Sequence, residues 1–233
     1  MKRLAGAHEL LDGPLDDATL AGNLRDLARV NRWLDGSSLS WRALLRLREL
    51  SPSTRALRLL DIGTGSADIP RDLLRRARAA QLGLEITATD VRPQIVDLAR
   101  ANSAGVEGLT VEPADPRRLD FGDGTFDVAH ASLVLHHLEP EAATELLTEM
   151  RRVAPRGVIV NDLDRARRWW LGARLLTLLA TGNRYTRHDA PLSVRRAYRP
   201  DEIGALARAA GLREVARLWA RPGYRYALVL VPE

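Results

Sequence analysis

With 233 residues, 45% hydrophobic and 28% charged side chains, the chain has the size and balance of one large α/β domain with additions. The absence of cysteine excludes disulfides, thiolate nucleophiles and zinc–thiolate centres. Met1-Lys2-Arg3-Leu4 is followed too soon by His8, Glu9 and Asp12 for a signal peptide, and no stretch is apolar for long enough to span a bilayer, so a cytoplasmic protein without a membrane span is expected. The formal charge is +5, carried almost wholly by arginines interleaved with acids, which reads as solvated helix faces and against a nucleic-acid partner.

Residues 1–14 show no period and read as a loose arm. From Asp16 to about Trp33, Leu20, Leu24, Leu27 and Val30 recur at helical spacing, and after a break at Asp35-Gly36-Ser37-Ser38 a second helix is predicted from Trp41 to Leu50. Strands are then predicted at Leu57–Ile62, Leu84–Thr89, Leu109–Pro113, Thr125–His130 and Gly157–Asn161. Helices separate them at about Asp68–Ala80, Pro93–Asn102 and Pro140–Val153. Residues 163–180 read as a helix, 181–199 as an irregular polar insert, and Asp201–Ala210 as a helix ended by Gly211. A terminal hairpin, Arg213–Trp219 with Tyr226–Val231, completes seven strands: a Rossmann-like, mostly parallel sheet closing in an antiparallel strand.

The organising stretch is Leu59-Leu60-Asp61-Ile62-Gly63-Thr64-Gly65-Ser66-Ala67-Asp68-Ile69-Pro70, an apolar strand, a glycine turn and a helix start. Gly63 and Gly65 let backbone approach a ligand. The dinucleotide fingerprint needs a third glycine where Asp68 stands, and a carboxylate at that helix end opposes a pyrophosphate. Asp61 instead suits a ligand with a cationic amino group. Asp90 closes the second strand, where a carboxylate can accept from both ribose hydroxyls or cap the next helix.

The stretch resembles motif I of the class I S-adenosylmethionine-dependent methyltransferases, and Asn31-Arg32-Trp33 with Trp41-Arg42 resembles the N-terminal segment of the ubiquinone/menaquinone-biosynthesis type. The likeness extends to small-molecule enzymes acting on phenolic or polyketide-derived acceptors. It implies S-adenosyl-L-methionine as donor, S-adenosyl-L-homocysteine as product, and donor contacts from Asp61, Gly63, Thr64, Gly65, Asp90, Val91, Asp115, Pro116 and Ser132. Pro116 departs from the pattern, since it has no N–H to offer an adenine nitrogen. The segment Phe126 to Leu138 resembles the family's post-strand-four region, which makes His136 and His137 catalytic candidates, His136 facing the acceptor and His137 structural. His188 is the third candidate, although His188 and Asp189, as neighbours, are expected to point apart. Trp33, Asp162, Arg187 and Tyr198 are expected at the acceptor.

Adjacent histidines without nearby acids argue against a metal. Every Trp and Tyr lies outside Leu57–Asp162, which suggests an aromatic-lined acceptor pocket built by the additions. The expected organisation is a helical lid at 1–56 and a donor-binding domain at 57–233, with an acceptor-site insert at about 163–199. The expected activity is methyl transfer to a small aromatic acceptor, oxygen favoured over carbon. An RNA methyltransferase and a nicotinamide-dependent oxidoreductase are the alternatives.

Overall fold

The computed structural model describes residues 1–7, 9–10, 13, 16–50 and 55–233, apart from the side chains of Asp17, Val30, Trp33 and Ala180. The expected acceptor contact of Trp33 therefore lies outside the described residues. Two helices, α1 (Asp17–Trp33) and α2 (Gly36–Leu50), precede the alternating core. That core runs β1 (Leu57–Ile62), α3 (Asp68–Ala79), β2 (Leu84–Asp90), α4 (Pro93–Asn102), β3 (Leu109–Pro113), β4 (Val128–Ser132), α5 (Pro140–Val153) and β5 (Gly157–Leu163). Next come α6 (Arg167–Ala180), α7 (Arg184–Arg196), α8 (Pro200–Ala209), β6 (Leu212–Trp219) and β7 (Arg225–Pro232).

The seven strands lie in the order β3-β2-β1-β4-β5-β7-β6, with β7 antiparallel to both its neighbours and the other pairs parallel. Both faces are covered, as parallel sheets require. Alternation along each strand decides what covers each face. Leu60 and Ile62 of β1 and Leu228 and Leu230 of β7 pack under α5 and α8. Leu57, Leu59, Ala227 and Val229 pack against α2 and α3.

Three expectations change. The helix α2 begins at Gly36 rather than Trp41, and its Leu39, Leu44 and Leu47 belong to the same buried cluster as β1 and β7. The arm at residues 1–14 is tied down where it is described: Leu4 N–H donates to Arg195 O, and Arg3 bonds Glu139, Leu138 O and Arg196 O. The insert at 181–199 is largely the helix α7. Its interior Pro191 reads as a breaker, and its buried positions include Asp189 and Arg196, so no apolar period betrays it. Asn183 starts it by accepting from Tyr185 N–H at 3.0 Å.

Candidate active site

The carboxyl ends of β1, β2 and β4 and the inner side of α1 enclose a cavity of about 410 Å³. Its polar end carries Asn31, Asp61, Asp68 and Ser132, and Asp90 stands on the β2 side. Val91, Ile95, Ala114 and Pro116 give an apolar end. The β1–α3 turn between them has Gly63 at φ +67, and a Cβ there would come within 2.6 Å of Val134 Cγ2. Only glycine fits that cradle. Thr64 is fixed through its N–H to Thr89 O at 2.9 Å, while its buried hydroxyl bonds nothing among the described residues and lies on the cavity wall. Asp90 accepts from Gly65 N–H (3.3 Å) and Arg92 N–H (3.2 Å). Burial raises its pKa against those donors, leaving a carboxyl ready for further hydrogen-bond donors.

Asp61 is engaged differently from the sequence expectation. It bonds His130 Nδ1 at 2.6 Å, and His130 Nε2 meets Ser40 Oγ at 2.8 Å. Asn161 Nδ2 donates to Ser40 Oγ (2.7 Å), and Arg225 Nε donates to Asn161 Oδ1 (2.6 Å). Arg225 continues to Asn31 Oδ1 (2.7 Å) and Ser132 Oγ (2.5 Å), and Asn31 donates to Asp68 Oδ2 (3.0 Å). The result is a buried polar chain from the first acid of the turn back to the start of α3, forming the cavity's polar floor. Gly36 permits it, because a Cβ there would lie 2.7 Å from Arg225 Nη1. Burial raises the pKa of Asp68, its bonds to Asn31 and Ser66 opposing.

A second cavity, of about 320 Å³, adjoins the first, and Leu27, Leu133 and His137 line both. Leu34, Leu163, Trp169, Ala173, Leu176 and Tyr224 make it chiefly apolar, and Glu9, His136 and Asp189 supply its polar side. His136 Nδ1 bonds Asp162 Oδ1 at 2.7 Å, and Asp162 also accepts His136 N–H at 3.2 Å. Burial of Asp162 would raise its pKa, but the histidine's charge and hydrogen bond hold it below the usual value. That pairing fixes the imidazole so that Nε2 faces the arm, 3.8 Å from Glu9 Oε1.

Glu9 supplies the acid that the sequence did not place beside the histidines: ligand atoms of Glu9, His136 and His137 all lie within 4.8 Å of one another. The cluster already has a cation, since Arg196 Nη1 is 3.7 Å from Glu9 Oε1, and Ser193 donates to the same oxygen at 2.7 Å. A guanidinium and a hydroxyl thus do for Glu9 what a metal would.

The remaining expected residues are placed as follows. Gly63, Thr64, Gly65, Val91, Pro116 and Ser132 line the first cavity with Asp61 and Asp90. Asp115 does not: its carboxylate turns back to Arg117 N–H at 2.9 Å, which lowers its pKa, and it is half exposed. His188 and Asp189 do bond each other, at 2.8 Å, because consecutive helix residues are near enough for a ring to fold back. His188 nevertheless points to solvent, while Asp189 lines the second cavity. Arg187 binds Thr181 O and Leu178 O and so caps the end of α6. Tyr198 is buried in the core with its hydroxyl on Leu138 O, and burial pushes its pKa up to about 12. Asp162 acts behind His136 rather than on the cavity wall.

Sequence reasoning missed Glu9, Ser40, His130, Asn161 and Arg225. Arg225 alone left a trace, a single arginine at the head of the apolar run Tyr226–Val231.

Residues 59–157 match a family described as a methyltransferase domain. A ubiquinone/menaquinone biosynthesis C-methyltransferase of Geobacter sp. is 29% identical over 103 residues, 43% of this chain and 42% of that protein. The chain spans less than half the length of the curated relatives it matches. Among solved structures, an S-adenosylmethionine-dependent methyltransferase from Aquifex aeolicus superposes with a TM-score of 0.64 at 19% identity, over 93% of this chain and 98% of that one. An O-methyltransferase family 2 protein from Planctomyces limnophilus, in complex with apigenin, gives 0.67 at 14% identity over 95% and 63%. These likenesses are of fold. With the domain match they place a methyltransferase domain at residues 59–157 of this chain, on a fold shared with S-adenosylmethionine-dependent methyltransferases.

Proposed function

We propose that this protein transfers a methyl group from S-adenosylmethionine to a small aromatic acceptor, phenolic or polyketide-derived, with oxygen as the methylated atom and a cytoplasmic setting. The observation that carries this reading is the junction of the two cavities at Leu27, Leu133 and His137, beside a histidine held by a buried carboxylate. The donor supplies a methyl group on a sulfonium, an electrophile that needs no further activation. Asp61 and Asp68 favour its ammonium, Asp90 accepts from its ribose, and the wall from Val91 to Pro116 takes the base.

The chain's remaining task is to bring a nucleophilic oxygen into line and remove its proton. Alignment in the apolar cavity can supply about 7–11 kcal/mol. His136 then receives the phenol's proton at Nε2, Asp162 stabilising the imidazolium, for about 10²–10⁴-fold. A phenol titrates near 10, so at pH 7 it enters the cavity protonated and its proton has to be taken up as the methyl is transferred. Carbon methylation stands as the second reading, because the Geobacter relative is named a C-methyltransferase.

Mass spectrometry of labelled-methyl transfer to phenols, quinols and alkylresorcinols tests the activity, and NMR of the product assigns oxygen or carbon. His136→Ala should slow turnover about 10²–10⁴-fold at pH 7, the loss shrinking as pH nears the phenol's pKa. Wild-type turnover by His136→Ala with saturating acceptor would move the base to His137.

A further inference from the structure

The helix α6 presents two unlike faces. Its inner side, Trp169, Gly172, Ala173, Leu176 and Thr177, walls the second cavity. Its outer side exposes Leu171 (52%), Leu175 (53%), Leu178 (51%) and Leu179 (88%), which at 100° per residue form one stripe. Isolated exposed leucines are ordinary, but four on one stripe of a 14-residue helix are not. The same face carries Arg167, Arg168 and Arg174, all exposed, and the helix contains no acid. Arg168 stacks over the inner-side Trp169 (4.8 Å) and Arg174 approaches Trp170 (5.8 Å), so Trp170 and the arginines flank the leucines. On the neighbouring α7, Arg184 and Arg187 are also exposed.

We propose that the outer face of α6 docks on the surface of an anionic lipid bilayer. Leucines flanked by tryptophan and arginine are the composition of a helix lying in a membrane interface, where the apolar stripe enters the acyl boundary and the guanidiniums meet headgroup phosphates. Charge selects this occupant over a second copy of the chain, since a two-fold contact would set the arginines of α6 against one another. Among the described residues no helix is long and apolar enough to span a membrane, so the contact is peripheral. If the proposed function holds, an amphiphilic phenol could pass from the bilayer along Leu176 into the cavity without crossing water.

The test is flotation of the full-length protein with vesicles of phosphatidylcholine and phosphatidylglycerol, against phosphatidylcholine alone, without acceptor. Flotation with the anionic vesicles, weakened by salt, is expected. The double variant Leu175→Gln/Leu179→Gln should lower partitioning at least roughly tenfold, with circular dichroism and donor affinity unchanged. Arg168→Gln/Arg174→Gln should remove most of the salt dependence. Failure of the wild type to float, or equal flotation by the leucine variant, overturns the proposal. So does a dimer, seen by sedimentation, that the leucine variant dissolves while vesicle binding is absent. Vesicle binding is read without turnover, so a chain that floats but methylates no phenol loses the proposed function and keeps this one.

Discussion

The cavity proposed for the donor and the cavity proposed for the acceptor are built by opposite means. The first sits where three parallel strands end, and most of its residues come from short contiguous motifs, the β1–α3 turn, the end of β2 and the end of β4, with Leu24, Leu27 and Asn31 of α1 closing it. The second is assembled from pieces far apart in the chain. Glu9 in the arm, Leu27 in α1, His136 after β4, Trp169 in α6, Asp189 in α7 and Tyr224 before β7 share its wall. A site on strand ends inherits its precision from the sheet. A site assembled from additions depends on how those additions pack, and it can change with them while the sheet stays as it is.

The sharpest way to break the comparison is to remove the additions. Leu39, Leu44 and Leu47 of α2 are buried against β1 and β7, and burying three leucines stabilises by roughly 5–9 kcal/mol. That rivals the entire stability of a domain, about 5–15 kcal/mol. Deleting residues 1–50 should therefore leave a chain without a cooperative melting transition by circular dichroism. Deleting only residues 1–10 should keep the fold and the donor affinity and cost acceptor turnover, since Glu9 leaves the second cavity. A folded 51–233 fragment would show that the sheet face tolerates the loss of α2.

The next largest effect joins the two halves. Arg225 is wholly buried and holds Asn161, Asn31 and Ser132 at once, tying β7, β5, α1 and β4 together. Replacing it with Met orphans three acceptors and leaves Asp162 without its positive field. Breaking a buried charged network by one partner costs about 3–5 kcal/mol. Arg225→Met should lower stability by about that much in urea titrations and weaken donor binding, because Asn31, Asp68 and Ser132 all line the donor cavity. A change below about 1 kcal/mol would mean that the chain of bonds is ornamental to the fold.

Smaller, and confined to the donor side, is Asp90→Ala. A hydrogen bond to a charged group is worth about 1.5–3 kcal/mol, so donor affinity by calorimetry should fall roughly tenfold to a hundredfold. Burial raises the pKa of Asp90 in the folded chain. The carboxylate therefore forms only as pH rises past that raised value, and wild-type affinity should begin to fall at higher pH on acidification than it would for an ordinary aspartate. Asp90→Ala should lose that pH dependence along with the affinity.

These expectations track what the residues disclose before folding. Gly63, Gly65 and Asp90 announce themselves because a turn that brings backbone to a ligand must be glycine-rich and contiguous. The strand order and the antiparallel close follow from alternation and a terminal hairpin. The polar chain beneath the turn was legible only in fragments: Asn31 and His130 fell in quoted segments, but nothing in sequence pairs His130 with Asp61 or Ser40. Asp115 illustrates the converse. Its place after β3 is right for an adenine contact, yet Arg117 two residues on captures the carboxylate. On the acceptor side, Glu9 lies in a stretch without period, and α7 conceals its helix behind Pro191 and buried charges. Long-range hydrogen bonds leave no spacing to read.

Arg187 offers the finest test of how far that illegibility extends. As an exposed arginine in a polar stretch it invites a role in acceptor binding. Its guanidinium instead closes the end of α6, with Nε on Thr181 O at 2.7 Å and Nη2 on Leu178 O at 3.1 Å. A cation at a helix carboxyl end contributes about 0.3–1 kcal/mol at an exposed position, screened by salt. For a chain of this size, 1 kcal/mol moves the melting temperature by about 2–4 °C. Arg187→Ala should thus lower Tm by no more than about 4 °C at low salt and less at high salt. Donor affinity should not change, and turnover of a soluble phenol should stay within about twofold. The side chain reaches α6 from the first turn of α7, so its loss frays the last turn near Leu178 and not the wall at Gly172 and Ala173 that faces the cavity. A rise in KM of more than about tenfold with Tm unmoved would reverse the assignment, and would place acceptor recognition on the outer rim of α7.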